Sequence, residues 1–474
     1  MSDNKALSFS EIARELGAFL RGPERRLPFN VCIDSRKIRK GDLFVAIKGE
    51  NTDGHRYIPQ AVSGGAIAVV AERAQITEEQ LDLIDPKGET TFLLVSGDTL
   101  KFLSKMAVLY LKRISPREII SVTGSVGKTT TREMLKRILS CKYPVHSPVS
   151  SYNTLLGCSL TILAMSNDTE ILILEMGTNS PGEILEMASV FRPTIGVITE
   201  VTEAHLQGLE TIQGVLQAKL EMLRSDRLHS LFYNWDNLLL RNELRKSSLQ
   251  IHYYGVGHGG GDIRIDGTEF ILQEGKPLLT FKLAFPGFCL DVRSGLFGPH
   301  QALCLSLALG VADRLGVALV DLPFEDLGID ALPGRGCLHF LKNSQILVID
   351  DSYNANPSSM RAALRVMGDI PWDGRKIAVL GTMKELGKNT PFFHRQILHH
   401  SMMADILLLV GEEWSEVVDQ YRKEEGSPHV YLATDYREAI GILEDKLSAG
   451  DLILVKGSHS NELEQVVSFV VDER

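Results

Sequence analysis

The sequence predicts an α/β protein of three domains, the second and third each built on a parallel sheet. Three observations predict it. Continuous apolar runs alternate with helix-like stretches from residue 118 onward, a glycine loop lies between one such run and the helix after it, and the alternation restarts after the break "LPGRG" at 332–336. A chain of 474 residues is too long for one ordinary core, and 44% hydrophobic content leaves each domain enough to bury.

The first region opens with Ser8-x-x-Glu11, the pattern of a helix capping box. Short β-rich runs split by Gly and Asp follow, in "NVCIDSRKIRKGDLFVAIKGENTDGHRYIPQAVSGGAIAVVAE". The stretch "KFLSKMAVLYLKR" (101–113) then has the spacing of an amphipathic helix and leads into "REIISV", which puts a domain boundary near residue 110. In the middle region the order is strand (118–122), glycine loop, helix (129–139), and then "EILILEM" and "TIGVITEV", each suited to a buried parallel strand. Between residues 224 and 298 the signal weakens into polar, glycine-rich β segments, and "ALCLSLALGVADRLG" predicts a helix that closes the domain. After a hinge at Pro333–Gly336, "QILVIDD", "KIAVLG", "ILLLVG", "VYLAT" and "LILVKG" alternate with "SSMRAALRVM" and "DYREAIGILEDKL", as in a doubly wound, Rossmann-like sheet. The predicted domains are thus 1–110, 111–333 and 334–474.

Bulk properties narrow the function. A formal net charge of −10 with no dense Lys/Arg run speaks against nucleic acid as a partner and leaves small anionic ligands open. Six cysteines (Cys32, Cys141, Cys158, Cys289, Cys304, Cys337) lack C-x-x-C spacing and read as reduced thiols, not as a zinc site or a disulfide framework. The N-terminus has no apolar signal-like stretch and no run approaches the ~18 apolar residues of a membrane span, so the expectation is a cytoplasmic protein without membrane insertion.

"SVTGSVGKTTTREML" (121–135) matches the phosphate-loop fingerprint in part, with Val122 where its first glycine belongs and Gly124 two positions later. Between a buried strand and a helix, the backbone of Gly124, Ser125 and Gly127 can cradle phosphate, Lys128 can neutralise it, and the hydroxyl of Thr129 or Thr130 can reach Mg²⁺. The plainer alternative is a glycine turn beside a solvated lysine. Glu175 ends an apolar run, where a carboxylate projects into the ligand crevice of an open α/β sheet and becomes a Mg²⁺ candidate. His205 follows the next strand in the same way, and packing or site are both open to it. Lys219 in "QAKLEML" reads equally as a solvated helical charge. The "VIDDSYNANPSSM" segment sets two Asp and two Asn at a strand end, where they either hold a ribose or reacting group or cap the helix that Pro357 starts.

Taken with "DSRKIRKGDLFVAIKGENTDGHRYI", "EMGTNSPGEI", "EAHLQGLETIQGVLQAKLEML", "GTMKELG" and "VKGSHS", these motifs resemble the Mur ligase family, with "DDSYNANP" the most specific of them. The likeness runs through all three regions. It implies a small α/β uridine-nucleotide-binding domain, a central P-loop parallel-sheet ATPase domain, and a C-terminal Rossmann-like domain that receives the incoming amine and closes on ATP. The implied activity is ATP-dependent amide bond formation through an acyl phosphate, joining D-alanyl-D-alanine to UDP-N-acetylmuramoyl-tripeptide, by a monomer that uses ATP and Mg²⁺. Lys128 is similar to the family's phosphate lysine, Thr129 and Glu175 to Mg²⁺ ligands, and His205 to the histidine beside a second metal. Lys219 resembles a lysine that in several members is carbamylated and binds metal. Asp351 resembles the residue holding the ATP ribose, Asn354 and Asn356 share its turn, and Arg335 resembles a nucleotide-contacting arginine near the hinge. Ser35, Arg36, Lys48 and His55 fall in the segment resembling the uridine-nucleotide site.

Some positions depart from the family pattern. Of an N-x-N-N stretch only Asn153 remains as a γ-phosphate candidate, and Gln301 stands for an asparagine near the adenine. Thr382 replaces an aspartate and His459 an arginine, which puts amine specificity in question. Other ligases of the superfamily (one adding the third residue of the peptide, or a folylpolyglutamate synthase) are rivals, as is a P-loop switch without synthetic activity. "DDSYNANP" and the first domain count against the ligases, and the lack of an obvious partner surface against the switch.

Overall fold

The structure, a computed structural model, describes residues 6–27, 30–49, 52–149, 151–273, 276–322, 331–421 and 429–473. Among these residues the strands form three sheets, set one after another along the chain.

The first sheet has the spatial order Phe19–Arg21, Thr91–Val95, Ala68–Glu72, Leu43–Val45, Val31–Cys32. All neighbours are parallel except the edge strand Phe19–Arg21. Its buried Leu43, Val45, Val70 and Leu93 pack with the helix Thr99–Ile114, which the Asp98 carboxylate caps by accepting from Leu100 and Lys101 N–H. That helix buries Phe102, Leu103, Met106 and Tyr110 in one cluster that also holds Cys158, Ile162, Leu172 and Leu174 of the second region. The boundary expected near residue 110 therefore falls inside a helix whose apolar face serves two domains. The capping box at Ser8 is half formed: Ser8 accepts from Glu11 N–H, while the Glu11 carboxylate pairs with Arg113.

The second sheet runs Val145–His146, Ile171–Glu175, Glu118–Thr123, Ile195–Ile198, Ser230–Asn234, His252–Gly257, Ile263–Gln273, Lys276–Phe285, Phe288–Ser294. It is parallel up to Ile263–Gln273 and antiparallel in the last two strands. The parallel strands are covered on both faces, which is why they read as unbroken apolar runs. The polar, alternating segments form the antiparallel extension, with every second residue of Phe288–Ser294 buried from Leu290 on. Helix His300–Arg314 lies against this sheet, and Gly310 permits the approach, since a Cβ there would come within 2.7 Å of Ile263.

The third sheet has the order Cys337–Leu341, Ile346–Asp351, Leu452–Lys456, Lys376–Gly381, Ile406–Val410, His429–Ala433. Only the first pair is antiparallel. The chain skips from Ile346–Asp351 to Lys376–Gly381 and fills the gap last with Leu452–Lys456, so the carboxyl ends of these three strands border a topological switch point. An apolar cluster joins Ile198, Leu206 and Leu209 of the second region to Leu386 and Phe393 of the third, packing the strand ends of the second sheet against the third region.

Candidate active site

The loop after strand Glu118–Thr123 turns through two left-handed glycines, Gly124 at φ 149° and Gly127 at φ 82°. A Cβ at Gly124 would sit 2.0 Å from Thr199 Oγ1, so both the conformation and the space require glycine. Ser125 fixes the loop to the neighbouring strand end: its N–H donates to Glu200 O, its hydroxyl donates to Thr202 O at 2.9 Å, and it accepts from Thr202 N–H. Lys128 and Thr129 open the helix Lys128–Leu139, leaving its first N–H groups aimed at the loop. The Lys128 ammonium donates to Gly124 O at 2.6 Å; burial pushes it below the ordinary lysine range and Glu175 opposes that push.

Glu175, 1% exposed, is the hub of the site. Its Oε2 accepts from Thr129 Oγ1 at 3.0 Å and lies 3.5 Å from Arg132 Nη1, and its Oε1 accepts from Asn153 Nδ2 at 3.4 Å. Thr130 follows on the same turn, half-buried. Lys219, on helix Ile212–Leu220, is fully buried with no hydrogen-bond partner for its Nζ among the described residues. Burial, and then the charge of Lys128, push its amine well below the ordinary lysine range. His205 caps the short helix Leu206–Leu209 from a left-handed conformation, φ 54°, and its Nδ1 pairs with Glu385 of the third region.

Across the crevice, Gln301 is buried; its Nε2 donates to Arg335 O at 3.2 Å and its Oε1 has no partner among the described residues. That orphaned acceptor fits the amino group of an adenine edge. The Arg335 guanidinium lies 4.1 Å over the Tyr353 ring, whose other neighbour is the stacked His459 imidazole at 5.6 Å. The Tyr353 hydroxyl meets Ser151 Oγ at 2.9 Å, beside Asn153 and across the domain boundary. Asp351 ends strand Ile346–Asp351 and takes its hydrogen bond from Lys456.

Not every expected contact survives. Asn356 commits its Oδ1 to Ser359 N–H as the cap of helix Pro357–Asp369, so the capping alternative replaces a substrate role for that atom. Asn354 accepts from Ala355 N–H with Oδ1 but is exposed at the crevice. In the first domain, His55 is a brace: Nδ1 meets Asp53 at 2.7 Å and Nε2 accepts from Glu72 N–H at 2.9 Å, leaving no ring nitrogen for a uridine. Arg36 is exposed and forked onto Asp34, Ser35 bonds Gln60, and Lys48 is exposed. Thr382 is buried and accepts from Asn461 Nδ2 at 3.0 Å.

The structure adds Arg132, Tyr353, Glu385 and Lys456 to the residues that the sequence points to. Arg132 lies one helical turn beyond Thr129, and Lys456 ends an apolar strand as Glu175 does, so a signal existed for both. Glu385 had none, because its neighbour is 180 residues away.

Comparison with known proteins follows the same division of the chain. Residues 30–106 match the model described as "Mur ligase family, catalytic domain", 122–312 the "Mur ligase middle domain", and 338–459 the "Mur ligase, glutamate ligase domain". The UDP-N-acetylmuramoyl-tripeptide–D-alanyl-D-alanine ligase of Bacillus subtilis is 31% identical over 462 residues, covering 95% of this chain and 94% of that protein. The structure of MurF from Acinetobacter baumannii superposes with a TM-score of 0.84 at 25% identity, over 98% of this chain and 99% of the other. MurF from Thermotoga maritima, solved in complex with ADP, superposes with a TM-score of 0.78 at 28% identity, over 94% and 98%.

Proposed function

The chain belongs to the Mur ligase family, and from that premise we infer that it is a ligase of the MurF type, joining D-alanyl-D-alanine to UDP-N-acetylmuramoyl-tripeptide with ATP in peptidoglycan synthesis. The observation that carries the reading is the buried Glu175 carboxylate bonded to Thr129 on the first turn after the phosphate loop, with the unpartnered Lys219 amine near enough to feel the charge of Lys128.

A carboxylate is a poor electrophile, and phosphorylation gives it a leaving group. The tripeptide's terminal carboxylate attacks the γ-phosphorus of ATP and ADP departs; the dipeptide amine then attacks the acyl phosphate carbonyl, and inorganic phosphate leaves. The protein's part is positioning and charge neutralisation. In this reading the loop 124–130 and the Lys128 ammonium hold the β- and γ-phosphates, and Asn153 stays near the γ-phosphate. Gln301 and Arg335 sit at the adenine side and Asp351 at the ribose. Thr129, Glu175, His205 and, as its carbamate, Lys219 would hold Mg²⁺, which supplies neutralisation of the transferred phosphoryl charge. Ser35, Arg36 and Lys48 remain candidates for the uridine-nucleotide end, and Asn354 for the substrate side of the third domain. The third domain closes over both substrates and shields the acyl phosphate from water. A monomeric state and a cytoplasmic location accompany the reading as proposals.

The test is isotope transfer. With ¹⁸O in the tripeptide carboxylate, one label is expected in the inorganic phosphate released when D-alanyl-D-alanine is present; release of unlabelled phosphate alone defeats the acyl phosphate. An amine panel with D-alanyl-D-serine and D-alanyl-D-lactate reads the effect of Thr382 and His459 on specificity, and light scattering reads the oligomeric state.

A further inference from the structure

Lys456 is one of the largest fully buried side chains in the molecule, and nothing assigned to the reaction so far uses it. It ends the central strand Leu452–Lys456 of the third sheet, in direct register with Asp351 on the neighbouring parallel strand. Its Nζ donates to Asp351 Oδ2 at 2.6 Å and to Asn354 O at 3.0 Å, so one ammonium ties the strand end to the turn that follows it. A buried ammonium needs such partners, since an isolated one would be strongly disfavoured. The pairing is one-sided for the carboxylate: Oδ2 is taken, whereas Oδ1 has no partner among the described residues. Asp351 keeps 19% of its side chain exposed at the switch-point crevice, while Lys456 keeps 2%.

We propose that Lys456 is a positioning residue for nucleotide recognition, holding Asp351 by one oxygen so that the other is presented to the ribose hydroxyls of ATP. The inference rests on the reading of Asp351 as the ribose carboxylate. Two consequences of the geometry support it. The ammonium counters part of the upward push that burial exerts on the Asp351 carboxyl, favouring the charged form that accepts from a ribose. The bond to Asn354 O fixes the backbone just past Asp351, so the direction of the free oxygen is set as well as its charge.

The measurement is the ratio of kcat/KM for ATP to kcat/KM for 2′-deoxy-ATP and 3′-deoxy-ATP, in wild type, Lys456→Met, Asp351→Asn and the double variant. A charged acceptor reading a hydroxyl gives a wild-type ratio of roughly ten-fold or more for at least one analogue. That ratio is expected to fall several-fold in Lys456→Met, with KM for ATP raised and KM for the UDP-tripeptide unchanged. In the Asp351→Asn background, Lys456→Met is expected to add nothing to the ratio. A lysine that merely stabilises the fold would lower activity with ATP and with both analogues alike, leaving the ratio at its wild-type value; that result with Lys456→Met, beside a collapsed ratio in Asp351→Asn, overturns the proposal. An unchanged ratio in Asp351→Asn overturns the ribose assignment itself, and the inference with it. Should Lys456→Met fail to fold, Lys456→Gln, which keeps a neutral donor, is read by the same ratios.

Discussion

His205 and Glu385 meet across the boundary between the second and third domains, imidazole Nδ1 to carboxylate, each from a residue in the left-handed region. Glu385 O also accepts from Gln207 N–H, so the loop 382–386 is fastened to the helix start by main chain and side chain together. If the third domain closes as proposed, closure would include forming this contact. The side chains are 24% and 49% exposed, so solvent screening limits the pair to no more than ~1 kcal/mol. Glu385→Gln is expected to shift the open–closed balance toward open by up to about five-fold. Small-angle scattering would show a larger mean radius of gyration for the variant without ligands and a return to the compact value with both substrates; identical profiles with and without ligands, in both proteins, would remove domain closure from the account.

Lys128 sits at the loop's end with its ammonium on Gly124 O, ready to exchange that carbonyl for a phosphate oxygen. Removing such a group from a site that neutralises developing charge costs ~3–4 kcal/mol of transition-state stabilisation. Lys128→Ala is accordingly expected to lower kcat by about 10²–10³ while leaving the thermal unfolding profile close to wild type. Near-normal amide formation would give the loop another purpose.

The parallel strands of the second and third sheets were legible as apolar runs because buried parallel strands must be apolar on both faces, and the phosphate loop because its glycines lie between such a strand and a helix. Glu175 was legible for the same reason, as the polar end of an apolar run. Pairings between distant loops were not: Asp351 and Lys456 are 105 residues apart, and Ser151 and Tyr353 are 202. No periodicity encodes which strand end stands beside which. At His55, sequence shows a histidine near a ligand segment and cannot show that Asp53 and the Glu72 N–H hold both its nitrogens. That the helix around residue 110 packs its apolar face in one cluster with residues of both the first and the second region is likewise a matter of tertiary packing that no local pattern shows.

The loop carrying Glu385 has a pH-sensitive anchor. His394 is fully buried; Nδ1 meets Thr390 O at 2.8 Å and Nε2 accepts from Met383 N–H at 3.1 Å, which requires the neutral ring. Burial lowers its pKa, with Thr390 O and Glu413 acting against that shift and Lys384 adding to it. As pH falls below ~6.5 the unfolded chain takes up this proton first, so the group's contribution is complete above ~6.5 and is lost as pH falls toward and through the folded value, at up to ~1.4 kcal/mol per unit. The protection of the Met383 amide, relative to its intrinsic exchange rate at each pH, is expected to fall between pH 6.5 and 5. In His394→Phe protection should be low throughout that range, because the acceptor is gone, at a cost of ~1–3 kcal/mol. Equal protection at both pH values in the wild type would deny the anchor.

Lys219 gives the sharpest test of the proposed Mg²⁺ site. Its amine is buried and unpartnered, and is driven toward the neutral form by desolvation and by Lys128, with Glu183 and Glu221 opposing. A neutral amine adds CO₂, and the carbamate would trade the strain of an unsatisfied buried donor for an anion near Lys128. With ¹³C-bicarbonate, a carbamate carbonyl resonance is expected in the wild type and not in Lys219→Arg, whose guanidinium does not form one. Stripping CO₂ from the buffer should lower turnover reversibly. Lys219→Ala should lose about 10²–10³ in kcat, as expected for removal of a group that stabilises the transferred charge, and small carboxylates added in trans should restore part of it. Wild-type turnover unaffected by CO₂ removal, together with an absent resonance, would leave Lys219 an amine and take it out of the proposed Mg²⁺ set.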